Sequence, residues 1–297
     1  MRALQQPAHN ARRSGPGLGS NGAPASGAGR AALNRTGAIV LRQLYLLSGS
    51  PARIVPLFAW VAIDIVLWGF ITRYLNSVTN SGLNFVPALL GAVLLWDFMV
   101  RVMQGITTTF FEDVWTRNFL NFFATPLKTS EYVLGLVLSS IATSLVGLAV
   151  MLILASAVFG LSFVVYGAML VPFLLVLFML GIGLGIAGSA IVLRLGPVAE
   201  WFIWPIPALL SPFAGVFYPI STLPGWMQYC ARLLPASYVF EGMRAVVSSR
   251  SISIPNLLLG GALAVLYIFL AGWFFGYIYR HAVRNGLIAR YSAEGPG

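Results

Sequence analysis

"FYPISTLPGWMQYCARLLPASY", residues 217–238, is rich in aromatic and aliphatic side chains yet holds Pro219, Pro224 and Pro235. Each proline removes a backbone donor and clashes with the turn before it. The stretch therefore reads as short helices separated by turns, not as one membrane-crossing helix. Broken backbone is tolerated at membrane depth only where protein or a cavity covers it. That predicts a re-entrant pair of short helices packed on a helical membrane bundle. Ser221 or Thr222 is expected to cap the first of them, with Pro224 in its first turn. Leu223, Trp226, Met227, Cys230, Leu233 and Leu234 make its apolar face, and Gln228 and Arg232 point elsewhere.

On both sides of this stretch the chain is oily. It is 58% hydrophobic and 9% charged, against about 25% charged for a soluble domain. Apolar runs of roughly 20 residues, each enough to cross about 30 Å of hydrocarbon, lie near 54–72, 83–103, 132–159, 166–193, 201–218 and 256–279. Six spans in an all-α integral membrane protein are expected. Residues 31–49 are amphipathic, with Arg35, Thr36, Arg42 and Gln43 recurring at seven-residue spacing opposite Leu33, Val40, Leu41, Leu44 and Leu47. They predict an interfacial helix, ended by Gly49, Ser50 and Pro51. Residues 1–30, rich in Gly, Pro, Ser and Ala, read as a disordered tail. They lack the apolar core of a signal peptide. Residues 31–297 form the membrane domain.

The net charge of +10 is assigned to topology, not to nucleic acid. Basic residues gather in cytoplasmic loops. With the N-terminus inside, only Arg73, Arg232, Arg244 and Arg250 of the 18 Lys and Arg fall outside. Both termini are then cytoplasmic, and 217–238 lies at the outer end. The single cysteine, Cys230, excludes an internal disulfide.

Several positions carry chemistry or packing. Asp64 sits in mid-span, where a carboxylate is costly and faces the bundle interior or a watery path. It reads either as a substrate or proton site or as a hydrogen-bonded structural acid. Asp97 and Arg101, four apart with the acid first, favour a local ion pair whose arginine snorkels to the headgroups. "GLGIAG" (183–188) fits a dinucleotide-binding pattern, but inside an apolar span it lacks the strand that such a site requires. Gly181, Gly185 and Ser189, at four-residue spacing, instead make a small-residue packing face.

The segment "FFEDVWTRNFLNFFATPLKTSEY" (110–132) places Glu112, Asp113 and Arg117 on a charged face. Phe111, Val114, Trp115, Asn118 and Phe122 lie on an aromatic one. Pro126 is expected to stop this helix, and Glu131 suits the first turn of the next. The segment reads equally as a docking element for a partner or as a helix resting on lipid. No enzyme constellation is present: His9 and His281 lie in opposite tails. Lys128, the only lysine, follows leucine, so it cannot complete a P-loop.

In order and topology the chain resembles the membrane subunit of a type-2 ATP-binding-cassette (ABC-2) transporter, an exporter permease, over residues 31–290. "ATPLKTSEYVLG" (124–135) and "GVFYPISTLPGWMQYCARLLPASYVFEGMR" (215–244) carry the resemblance. "FEDVWTRNFLNFF" departs from the Glu-Arg-Gly-Thr-like stretch of many members. The resemblance implies a partner ATP-binding subunit, which would hold ATP and Mg, with no cofactor in this chain. It implies pairing as a homodimer or with a sister permease, in lipid, in a bacterial inner membrane. It makes Glu112, Asp113, Trp115, Arg117 and Phe119 coupling residues. Pro219, Pro224, Trp226, Tyr229 and Pro235 become parts of an external gate. Cargo would be hydrophobic or amphipathic: a drug, a lipid or a lipid-linked glycan. The rival reading is a proton-coupled secondary transporter using Asp64. A membrane-embedded lipid-modifying enzyme is a third, disfavoured because no polar catalytic residues cluster at an interface.

Overall fold

A computed structural model describes residues 25–78, 86–116 and 125–285, and these are helical with short connections. Helix α1 (Ala25–Ser48) is followed by α2 (Pro51–Val78), α3 (Gly91–Trp115), α4 (Thr129–Phe159) and α5 (Leu170–Leu195). Four short helices come next: α6 (Glu200–Ile203), α7 (Pro205–Ala214), α8 (Gly225–Arg232) and α9 (Pro235–Val247). The last helix is α10 (Ile254–Arg284). A π turn, Val86–Leu90, leads into α3, and a 3-10 turn, Phe163–Met169, leads into α5. Helix α1 begins at Ala25, so it takes in the last six residues of the expected tail; residues 1–24 lie outside the described part.

Among the described residues, five helical stretches are long and apolar enough to cross a membrane: Ala59–Val78, Val86–Trp115, Thr129–Phe159, Phe163–Leu195 and Ile254–Arg284. The run expected as a fifth span, 201–218, differs. Pro205, Pro207 and Pro212 shorten it, and Gly215, at φ +69°, ends α7 in the left-handed region that suits glycine. Even so, the chain travels the bundle's length here. Ile203 packs in a cluster with Phe110 and Val114 at one end of α3, and Ala214 and Val216 pack with Leu95 and Trp96 near the other.

The bundle closes through small residues. Helix α5 lies between α3 and α10. A Cβ on Gly181 would stand 2.8 Å from the Met99 carbonyl, and one on Gly185 would stand 2.9 Å from the Ile106 Cβ. A Cβ on Gly183, on the other face, would stand 3.3 Å from backbone atoms of Tyr267 and Ile268. Backbones this close allow a side-chain bond between helices. Thr107 Oγ1 donates to the carbonyl oxygens of Met103 (3.0 Å) and Gly185 (3.1 Å). Ser189 is buried and bonds back to Gly185 within its own helix.

Candidate functional site

Two regions gather the polar residues. The first joins α1 to the ends of α3 and α4. Arg35 donates from Nε and Nη2 to Glu131 at 2.8 and 2.6 Å. Two turns on, Arg42 donates from Nη1 and Nη2 to Asp113 at 3.1 and 2.5 Å. Both are forked arginine–carboxylate pairs, the geometry that guanidinium serves best. The Tyr132 hydroxyl adds a 2.7 Å bond to Asp113, and the Lys128 amide a 3.0 Å bond to Glu131. Burial opposes the charge of Arg42, but the hydrogen bond and charge of Asp113 outweigh it. The guanidinium stays above its ordinary pKa.

Helix α1 therefore lies the opposite way round from an ordinary interfacial helix. Its polar face, with Arg35, Thr36 and Arg42, turns toward the protein, and Leu33, Leu41 and Tyr45 face outward. The buried acids decide this: Asp113 and Glu131 need cations more than the arginines need water. Close approach is possible because α4 presents Gly135, where a Cβ would meet Ile39 at 2.7 Å.

Of the expected coupling residues, Asp113 is 2% exposed and tied to α1, so its carboxylate is not a free contact surface. Trp115 is 56% exposed, its ring 5.9 Å from that of Phe111. Glu112 turns toward the bundle cavity. Helix α3 ends at Trp115, with Thr116 as its cap, and the stretch between it and Pro126 lies outside the described residues. Arg117, Asn118, Phe119 and Phe122 lie outside the described residues.

The second region is a cavity of about 600 Å³ among α1, α2, α3 and α4. Asp97, Arg101, Gln104, Thr108 and Glu112 descend one face of α3 into it. Asp64 and Trp60 come from α2, Ser140 and Thr143 from α4, and Gln43 from α1; Trp204 borders it. The structure thus brings Asp64, Asp97 and Arg101 to one place. Arg101 does not snorkel to the headgroups. It sits at mid-helix, and its chain fills the notch over Gly147, where a Cβ would lie 2.8 Å from its Cδ. Asp97 keeps Oδ2 buried with no hydrogen bond, and so does Gln43 its Nε2. Gln43, Gln104, Thr108, Ser140 and Thr143 were not among the expected site residues. The α3 members recur at steps of three and four, a stripe readable as one helix face.

At the other end, the 217–238 stretch is a 3-10 turn, Ile220–Thr222, then α8 and α9. Thr222 bonds back to the Pro219 carbonyl, so neither it nor Ser221 caps α8; Pro224 occupies the cap position. Pro235 is buried in the first turn of α9. The expected apolar face of α8 is divided: Leu234 is buried, while Trp226 and Leu233 are each 64% exposed, and Tyr229, expected at the gate, is 69% exposed. Pro219 and Pro224 are exposed too. Arg244 fixes this end. It donates to the Gly215 carbonyl (2.6 Å) and to Glu241 (2.8 Å), which also accepts the Ile220 amide at 2.8 Å. The pair lay within the quoted motif, but the sequence reading used Arg244 only in the count of outer basic residues and gave Glu241 no role.

Five membrane-length helices, a polar cavity within them and a helix clamped across the α3–α4 connection define a membrane transport subunit. Residues 39–247 match the family model described as ABC-2 type transporter, and the chain belongs to that family. It is a multi-pass membrane protein, the permease subunit of an ABC transporter, and the family pairs such subunits with an ATP-binding subunit. No curated protein matches the chain.

Proposed function

We propose that this permease serves an ATP-driven exporter and forms the pathway for a hydrophobic or amphipathic cargo. ATP is bound, with Mg, and hydrolysed by separate subunits. Two permease subunits, identical or sister chains, pair in a bacterial inner membrane with both termini cytoplasmic. The α3–α4 connection, with Trp115, Arg117 and Phe119, is the docking element, and residues 217–238 form the outer gate. The observation that carries this reading is the double clamp. Asp113 closes α3 and Glu131 opens α4, and one helix grips both, so a push on the connection reaches both spans.

The test is purification from native cells in mild detergent. An ATP-binding subunit should accompany the wild-type chain in stoichiometric amount and be lost on Trp115→Ala plus Arg117→Ala. Retention in that variant would move the docking site elsewhere. No such subunit under conditions that preserve membrane complexes would sink the exporter reading. The proton-coupled alternative draws support from the position of Asp64 beside Arg101 and Asp97. It requires transport that follows the proton gradient, needs no ATP-binding subunit and fails in Asp64→Asn.

A further inference from the structure

The cavity has a composition that selects its occupant. Asp64 and Asp97 face one arginine, Arg101, while Glu112 lies further along α3 toward Arg42. Carboxylates within a membrane bundle are expensive and persist where a partner or a ligand answers them. Here the acids outnumber the base, which argues against an anionic guest. One oxygen of Asp97 is buried without a donor, a deficit that an N–H⁺ group corrects and a carboxylate or phosphate does not. Trp60 stands one helical turn before Asp64 on α2 and is 67% exposed, so an indole and a carboxylate share one face. That pair suits a cation, which gains from the charge and from the ring. The volume, about 600 Å³, is that of a drug-sized site. Along α2, Ile63, Leu67 and Phe70 are exposed, an apolar surface that lipid or an amphiphile's tail can cover.

From this we infer that the cavity is a binding site for the head of a cationic amphiphile, an amine that meets Asp64 and Asp97 while Trp60 covers its apolar side. The inference rests on the permease reading in taking the occupant as cargo. Binding itself needs no ATP-binding subunit, so the two can fail separately.

The experiment uses the full chain in phosphatidylcholine nanodiscs and equilibrium dialysis with radiolabelled propranolol, a lipophilic amine. Empty nanodiscs give the lipid background. Saturable binding of about one amine per chain is expected. An uncharged analogue with the amine replaced by a hydroxyl should bind at least about tenfold more weakly, since a buried charge would lose its partner. Asp64→Asn and Asp97→Asn should each cost a similar factor. Glu241→Gln, which removes one charge at the far end of the bundle, should bind as wild type. Equal binding of the amine and its uncharged analogue to the wild-type chain overturns the inference without any variant having to fold. So does unchanged amine affinity in both aspartate variants, or no saturable binding at all. If amine binding fails while an ATP-binding subunit still co-purifies, the permease reading stands and only the cargo class falls.

Discussion

Arg42 shows what one side chain does in this chain. It lies on a helix that sequence alone would rest on the membrane surface, and its fork closes on a carboxylate that is 2% exposed. Without Arg42, the buried Asp113 stays charged with only the neutral Tyr132 hydroxyl to answer it. Arg42→Ala should cost about 2–4 kcal/mol, discounted for the partial exposure of the arginine. Thermal unfolding in detergent would register this as a lower Tm. Arg42→Met combined with Asp113→Leu should recover most of the loss, because no charge is then stranded. Arg35→Ala should do less, since its partner Glu131 is the more exposed carboxylate, 10% of its side chain against 3% for Asp113. Arg244 offers a second case at the opposite end. Without it the Gly215 carbonyl loses its donor, and Arg244→Ala should speed hydrogen exchange at 215–222 while leaving α3 and α5 unchanged.

Among whole elements, glycine placement separates tight contacts from open ones. Gly185→Leu would drive a side chain into Ile106 and the Met103 carbonyl, both within about 3 Å of a Cβ there. It should destabilise the bundle by about 1–3 kcal/mol or more. Gly272→Ala, with nothing within 4 Å of its Cβ, should be neutral or gain up to about 1 kcal/mol of helix propensity. The long spans α2, α4, α5 and α10 were legible in the sequence, because lipid-facing helices need unbroken apolar runs and these had them. The extent of α3 was not. Its second half carries Gln104, Thr108 and Glu112, which read as a polar exit from the membrane; in the structure they line a cavity instead. Nor could the sequence say which way α1 faces. Amphipathic spacing reveals that a helix has two sides, while the choice between them belongs to Asp113 and Glu131, 71 and 96 residues away. The proline cluster was legible as short helices. The caps were not, because Thr222 found a nearer carbonyl.

Among the described residues, an apolar bundle holds a polar chamber between the ion pairs of α1 and the Arg244–Glu241 pair. Orientation is testable through Cys230, the only cysteine in the chain and an exposed one. A membrane-impermeant maleimide should label it in intact spheroplasts. Labelling that appears only after permeabilisation would invert the topology and place α8 on the cytoplasmic side. The chamber was partly legible: Asp64, Asp97 and Arg101 were each singled out, but not their convergence, since that depends on how α2 and α4 pack around α3.

Arg35 and Arg42 of α1 stand seven residues apart, roughly 10 Å along a rigid helix. They grip the chain just before and just after the α3–α4 connection. Helix α1 thus acts as a splint across a gap. Helix α1 holds both Asp113, at the end of α3, and Glu131, at the start of α4. If the proposed docking role holds, a transplanted 117–124 sequence should change which ATP-binding subunit co-purifies, while the Tm set by the Arg35–Glu131 and Arg42–Asp113 clamps stays unchanged.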